Sequence, residues 1–288
     1  MKRKHCFTTK RRSKMPYNLT PDEVYYTDSL KVNKYLLKDH NVNSIPLPQG
    51  TMDEIIGVTI HNTDPVPGDN DAESYTAATL DGDLKDVRVH FYVDENEAWQ
   101  NLDTDSTGWH ATDGMGDGNT KTIAIETIMG SSSDPQSLKA RDNAARLAAS
   151  LLYENGLDEN NLYTHTYWLN VRDGIEGSRD YLNTLPNPYK VCPVYILPDW
   201  FEFKALVGKY IDELQSGEET LYFEPYKIRV TADTLNVRSE PGTQNPVTAK
   251  INWGDVYTIT DSREADGAVW GKLNSSAGWI NLDFTERI

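Results

Sequence analysis

Ile55-Ile56-Gly57-Val58-Thr59-Ile60 is a short run dominated by β-branched residues, and it leads into His61-Asn62-Thr63. The composition predicts a strand, and the Asn, Asp and Pro residues that follow predict a turn at its end. Downstream, Val89-His90-Phe91-Tyr92-Val93, then Asp94-Glu95-Asn96, then Ala98-Trp99-Gln100 predict a strand, a turn and a second strand. Thr122-Ile123-Ala124-Ile125-Glu126-Thr127-Ile128 is a third, largely apolar strand. Asp134-Pro135 has the form of an N-cap with proline at the first helical position, and Gly156 supplies the stop. Ala144, Leu147, Ala148, Leu151 and Leu152 give that helix its apolar stripe, and a last helix is expected from Asp199 to about Leu214. Strands alternating with helices predict an α/β fold with a central mixed β-sheet flanked by helices.

The pattern changes toward the C-terminus. Gln215-Ser216-Gly217-Glu218-Glu219 is polar and unpatterned, so residues 215–225 are expected to be a linker. Beyond it, short strands at close spacing are expected at 234–238, 247–251, 256–260, 269–273 and 278–280. A segment of this kind, 226–288, predicts a small all-β barrel with no helix. The 288 residues therefore divide into a basic head, 1–14, a larger domain, 15–214, the linker and the small β domain. The head is expected to be a disordered or mis-annotated tail, since no apolar stretch follows its basic residues and Met15 could itself be the initiator. No signal peptide is recognisable, so the chain is expected to be made in the cytoplasm and to act after release.

Charge narrows the function classes. The chain carries 28 basic and 44 acidic residues, a net charge of −16. Residues 1–14 hold seven bases and no acid, 15–225 hold 14 bases against 36 acids, and 226–288 are nearly neutral. Such a field repels phosphate backbones, which argues against nucleic acid as a partner. No apolar run approaches the roughly 20 residues needed to cross a bilayer. Two cysteines separated by most of the chain make no disulfide framework.

The residues that carry chemistry interrupt the apolar strands. Glu126 lies in the middle of one and His61 at the end of another, and a buried carboxylate without a partner is costly. Glu126 could pair with an arginine, and His61 could cap its turn. Together with His165 and Cys192, His61 makes a plausible zinc set: three protein ligands, with a fourth position left for water. Their sequence separation is too large for spacing alone to prove it.

Gly57-Val58-Thr59-Ile60-His61-Asn62-Thr63, Val89-His90-Phe91-Tyr92-Val93-Asp94, Gly108-Trp109-His110-Ala111 with Asp113-Gly114, Ile123-Ala124-Ile125-Glu126 and Lys190-Val191-Cys192-Pro193 occur in the order seen in type-2 N-acetylmuramoyl-L-alanine amidases. The chain resembles that family, which includes phage endolysins, over roughly residues 50–210. The resemblance implies one Zn²⁺ ion held by His61, His165 and Cys192, Glu126 as the catalytic acid/base and Lys190 assisting at the oxyanion. It implies cleft roles for His90, Trp109 and His110, and bacterial peptidoglycan as the substrate and partner. Two departures stand out: Val89 occupies a position where some relatives carry tyrosine, and the gap between His165 and Cys192 is far longer than usual in the family. The extra segment, from Trp168-Leu169-Asn170 to Pro186-Asn187-Pro188, is expected to form one wall of the stem-peptide groove.

Leu235-Asn236-Val237-Arg238-Ser239-Glu240-Pro241-Gly242 resembles the opening motif of bacterial Src-homology-3-like (SH3-like) cell-wall-binding domains. Trp253, Trp270 and Trp279 are either core aromatics or ligand contacts there. Two other functions compete with the zinc amidase: a cysteine amidase or endopeptidase using Cys192, and a non-catalytic peptidoglycan-binding protein. A catalytic thiol is better placed at a helix start than before Pro193, and recognition proteins usually lack one of the three candidate ligands.

Overall fold

A computed structural model describes residues 18–40, 50–63, 71–216, 226–274 and 277–288. The basic head, the residues after Thr63 expected to turn, and all but the first two residues of the expected linker lie outside the described residues. Backbone contacts divide the chain into two units, 1–220 and 221–288.

The first unit is built on a seven-stranded sheet. Its strands are β1 (Glu23–Thr27), β2 (Leu30–Lys34), β3 (Gly57–Thr63), β4 (Phe91–Val93), β5 (Ala98–Gln100), β6 (Thr122–Ile128) and β7 (Leu162–Thr164), in the spatial order β1-β2-β5-β4-β6-β3-β7. The β1/β2 and β4/β5 pairs are antiparallel and the other four are parallel, so the sheet is mixed as expected. Helices α1 (Ala72–Leu80), α2 (Asp117–Lys121), α3 (Pro135–Glu154), α4 (His165–Arg172), α5 (Arg179–Thr184) and α6 (Trp200–Ser216) complete the unit. No described helix is long and apolar enough to cross a membrane.

Local chemistry sets the two long helices. The Asp134 side chain accepts a hydrogen bond from Ser137 N at the start of α3, Pro135 opens the helix, and Gly156 follows it at φ +67°. Ala144, Leu147, Ala148, Leu151 and Leu152 of α3, with Trp200, Phe203, Val207, Tyr210 and Ile211 of α6, cover one sheet face carrying Val58, Ile60, Phe91, Val93, Ile123 and Ile125. A second cluster joins Tyr75, Ala78 and Leu80 to Tyr92, Trp99, Ala124 and Ile128.

Three boundaries differ from the sequence expectation. His61-Asn62-Thr63 do not form a turn: parallel pairing with β6 carries β3 through all three residues, from Gly57↔Thr122 to Thr63↔Ile128. The strand expected at 89–93 begins only at Phe91, because Arg88 pairs with Trp109 and His90 is bent out of the ladder. Gln215 and Ser216 belong to α6 and not to the linker.

The second unit is all-β, as expected. Strands β8 (Tyr226–Val230), β9 (Thr234–Arg238), β10 (Val247–Asn252), β11 (Val256–Ala265), β12 (Ala268–Leu273), β13 (Trp279–Asn281) and β14 (Thr285–Arg287) form an antiparallel sheet in the order β10-β9-β13-β12-β11-β8-β14. β8 and β14 pair with each other and were not expected from the sequence, nor was a 3-10 turn at Leu282–Phe284. Ile228, Val230, Leu235, Val237, Ile251, Ile259, Leu273 and Ile280 make its core. Trp270 and Trp279 are buried, whereas Trp253 is 69% exposed.

Gly57 opens β3 where the chain passes Asn161: a Cβ there would stand 2.0 Å from the Asn161 carbonyl oxygen and 2.7 Å from the Tyr163 ring. Backbone cannot yield as a side chain can. Gly57→Ala is therefore expected to destabilise the first unit by about 3 kcal/mol. Thermal unfolding checks this, and an unchanged first-unit transition would contradict the close approach.

Candidate metal and catalytic site

Side-chain alternation on β3 and β6 decides what the sheet offers on the side opposite α3 and α6. Val58 and Ile60 of β3, and Ile123 and Ile125 of β6, point into the core beneath α3 and α6. The residues between them face the other way. In the parallel register His61 lies opposite Glu126, which Tyr92 flanks from β4. Glu126 can thus sit in an apolar sequence without entering the main core.

His165 and Cys192 arrive from elsewhere. Thr164, the last residue of β7, accepts from Tyr167 N through its side chain and caps α4, so His165 is the first residue of the helix. The 26 residues between His165 and Cys192 are drawn back by asparagines. Asn170 Nδ2 donates to Leu182 O and Leu185 O, Asn187 Nδ2 donates to Asn170 Oδ1 and Asp173 Oδ2, and Asn183 Oδ1 accepts from Thr164 N. The return closes at Thr166, whose N–H donates to Cys192 O at 3.0 Å while Cys192 N–H donates to Thr166 Oγ1 at 2.8 Å.

One donor atom each from His61, His165 and Cys192 lies within 4.8 Å of the others, and all three residues are buried. Cys192 Sγ is 3.8 Å from His61 Nδ1, and Glu126 Oε1 is 3.9 Å from the same nitrogen. The opposite edge of each ring is also held: His61 Nε2 is 3.1 Å from His110 Nδ1, and His165 Nε2 is 2.9 Å from Thr112 Oγ1. Lys190 Nζ is 3.4 Å from His165 Nδ1.

Burial governs the protonation of these groups. It holds the His61 and His165 imidazoles well below their ordinary pKa, aided at His61 by His110 and Lys190 and at His165 by Lys190 and His61. Both rings are neutral at pH 7, the form that binds a metal. Burial raises the Glu126 carboxyl against the opposing pull of Lys190, and lowers the Lys190 ammonium against that of Glu126. Neither Glu126 oxygen has a hydrogen-bond partner among the described residues. Two neutral imidazoles braced from behind and a carboxylate with spare acceptor capacity fit zinc, and the Cys192 sulfur, which is disulfide-bonded in this structure, completes a donor set of the usual type once reduced to the thiolate.

A cavity of about 360 Å³ opens beside this cluster, lined among others by Trp109, His110, Thr112, His165, Tyr189 and Lys190. Trp109 and His110 therefore line the cavity beside the three candidate ligands. His90 is placed differently. Its Nε2 is 2.8 Å from Ser106 O, its Nδ1 accepts from Ala124 N, and burial lowers its pKa to about 4. The ring ties a loop to β6 and does not line the cavity. His110, pushed down to about 3 by burial and His90, touches both the cavity and His61. The segment between His165 and Cys192 supplies α5 and most of α4, and Tyr189 at its end reaches the cavity wall. Thr112 and Tyr189 carry no sequence signal of their own. Thr112 follows the histidine motif by two residues, and its φ of +61° turns the loop there.

Comparison with known proteins identifies the family. A profile of the N-acetylmuramoyl-L-alanine amidase family matches residues 51–181. The N-acetylmuramoyl-L-alanine amidase XlyA of Bacillus subtilis (strain 168) is 31% identical over 151 residues, covering 52% of this chain and 43% of XlyA. The N-acetylmuramoyl-L-alanine amidase CwlH of the same organism is 30% identical over 181 residues, covering 59% of this chain and 71% of CwlH. The solved catalytic domain of XlyA is 28% identical, with a TM-score of 0.48 over 62% of this chain and 99% of that domain. The chain thus spans less than half the length of XlyA but most of CwlH, and with that coverage it belongs to the N-acetylmuramoyl-L-alanine amidase family.

Proposed function

We propose that the chain is a zinc-dependent peptidoglycan hydrolase that cleaves the amide between N-acetylmuramic acid and the L-alanine of the stem peptide. The observation that carries this is the convergence of His61, His165 and Cys192 beside Glu126 on the sheet face opposite α3 and α6. Zinc held by those three side chains would supply the Lewis acidity that polarises an amide carbonyl and lowers the pKa of water. Glu126, its proton affinity raised by burial, takes the proton from the attacking water and returns it to the departing alanine nitrogen. Water oxygen bonds to the lactyl carbon, the C–N bond breaks, and a carboxylate and a free amine result. Lys190, in electrostatic contact with Glu126 and beside His165, offers its ammonium to the negative charge that develops on the carbonyl oxygen. Trp109 and His110 line the approach, and Tyr189 at the end of the long inserted segment closes one side of the cavity.

We assign the second unit an SH3-like, wall-binding role. The motif from Leu235 to Gly242 and the antiparallel strands around it support this, and a tethered binder raises the effective concentration of the enzyme at an insoluble substrate. Bacterial walls that are themselves anionic would repel the acidic first unit, so retention falls to specific contacts of the nearly neutral second unit. Trp253 is the exposed aromatic suited to such contact.

Mass spectrometry of muropeptides after digestion tests the bond and the base together. The parent should release stem peptides with new L-alanine N-termini and leave glycan strands intact, while Glu126→Gln should lose at least about a hundredfold in rate. The variant should keep its unfolding temperature within a few degrees, because the side chains are nearly isosteric and the carboxylate accepts no hydrogen bond from any described residue. Chelation should abolish hydrolysis and zinc should restore it. A chelated, metal-free and still active protein would instead favour thiol chemistry at Cys192.

Wall pelleting tests the second unit. Trp253→Ala should weaken binding with little change in stability, whereas Trp270→Ala should destabilise the unit by about 3–5 kcal/mol, as expected for a buried indole. Binding should vary weakly with salt.

A further inference from the structure

A second cavity, of about 350 Å³, lies on the first unit and is lined among others by Asp113, Asp117, Tyr163, Tyr167, Trp168 and Arg172. It shares two elements with the candidate active site. The loop after His110 places Thr112 and Gly114 on the active-site cavity and Asp113, Gly116 and Asp117 on the second. Helix α4 gives His165 to the first, and Tyr167, Trp168, Val171 and Arg172 to the second. Arg172 spans the two: its guanidinium stands 5.3 Å from the Tyr189 ring on one side and lines the second cavity on the other.

Three aromatic rings form one assembly there. The Tyr163 and Tyr167 centroids are 5.0 Å apart, Tyr163 and Trp168 are 4.7 Å apart, and Tyr167 and Trp168 are 4.8 Å apart. Trp168 is anchored by its Nε1 donating to Thr59 Oγ1, so the wall is fixed to β3. Neither tyrosine hydroxyl donates to a described residue, and Asp113 Oδ1 has no hydrogen-bond partner among them. Asp117 adds an exposed carboxylate at the rim.

Tyr167 is the partly exposed ring of the three, backed by buried Tyr163 and Trp168. An aromatic ring edged by a hydroxyl and carboxylates matches a pyranose, whose C–H face lies on the ring and whose hydroxyl rim needs hydrogen-bond acceptors and donors. Asp113 and Asp117 are offset by Arg172 in the lining, Arg179 over the Tyr163 ring and Lys121 paired with Asp117, so the cavity is of mixed charge and suits a neutral polar ligand. We infer that this cavity is a saccharide subsite, distinct from the metal-proximal cavity, that holds a neutral N-acetylated sugar of a glycan strand while the adjoining site works on the same strand. The second half of this statement rests on the amidase function proposed above; the first half does not.

The full chain is titrated with tri-N-acetylchitotriose, a peptide-free oligomer of N-acetylated sugar, by calorimetry. Binding is expected, and both Tyr167→Ala and Val171→Trp, the latter filling the mouth of the cavity from an exposed position, should weaken it at least tenfold. No binding, or binding unaltered in a folded Val171→Trp, would overturn the subsite. Hydrolysis supplies the second readout: Val171→Trp should leave kcat and KM for monomeric N-acetylmuramoyl-pentapeptide unchanged and raise KM for polymeric wall fragments severalfold. Equal KM changes on both substrates would overturn the link between the cavities. If the parent hydrolysed neither substrate, the amidase proposal would fail while the titration still decided the sugar site.

Discussion

Parallel pairing of β3 with β6 is the constraint on which the site depends. It fixes His61 beside Glu126 and commits Val58, Ile60, Ile123 and Ile125 to the core beneath α3 and α6. A slip of one residue would turn the polar pair into that core and expose the isoleucines, so burial of the apolar face and orientation of the chemistry are enforced together. A carboxyl and an imidazole held on adjacent central strands have little freedom left, which is the form of preorganisation a hydrolytic site needs.

The remaining donors are brought to that pair by polar fastenings. Thr164 caps the helix that starts with His165, and Thr166 receives Cys192 back after a long excursion secured by Asn170, Asn183 and Asn187. His110 and Thr112 hold the outer ring edges of the two histidines from a single loop. Five separated parts of the chain thus converge on one small volume. Its low polarity keeps the imidazoles neutral and raises the Glu126 carboxyl, both suited to binding a cation and moving a proton.

Much of this was legible in residues with strong local signals. Thr122–Ile128 was readable as a strand because its apolar run has sharp limits, and α3 because Asp134, Pro135 and Gly156 punctuate it. His61, Glu126, His165 and Cys192 could be named because polar residues in or beside apolar segments require a reason, and because ordered motifs resemble a known family. The hairpin of β1 and β2 was not legible: its strands are short and largely polar, and its turn uses Asp28 and Ser29 at positive φ without glycine. Helix α1 escaped notice because its Ala, Ser and Thr residues are buried on nearly every side and leave no apolar stripe. His90 resembled a cleft residue in sequence, yet its ring is consumed by backbone partners at Ser106 and Ala124. Only the tertiary structure can tell a histidine spent on the scaffold from one facing the site.

The central claim is the proposal that the His61 imidazole of β3, the His165 imidazole at the start of α4 and the Cys192 sulfur tied back at Thr166 form a single zinc site. X-ray absorption at the zinc edge of the intact protein tests it most directly. The account predicts one zinc per chain with a single sulfur near about 2.3 Å and two imidazole nitrogens near about 2.0–2.1 Å, the sulfur signal vanishing in Cys192→Ser. A fully active protein without stoichiometric zinc, or a zinc environment with no sulfur, would contradict it.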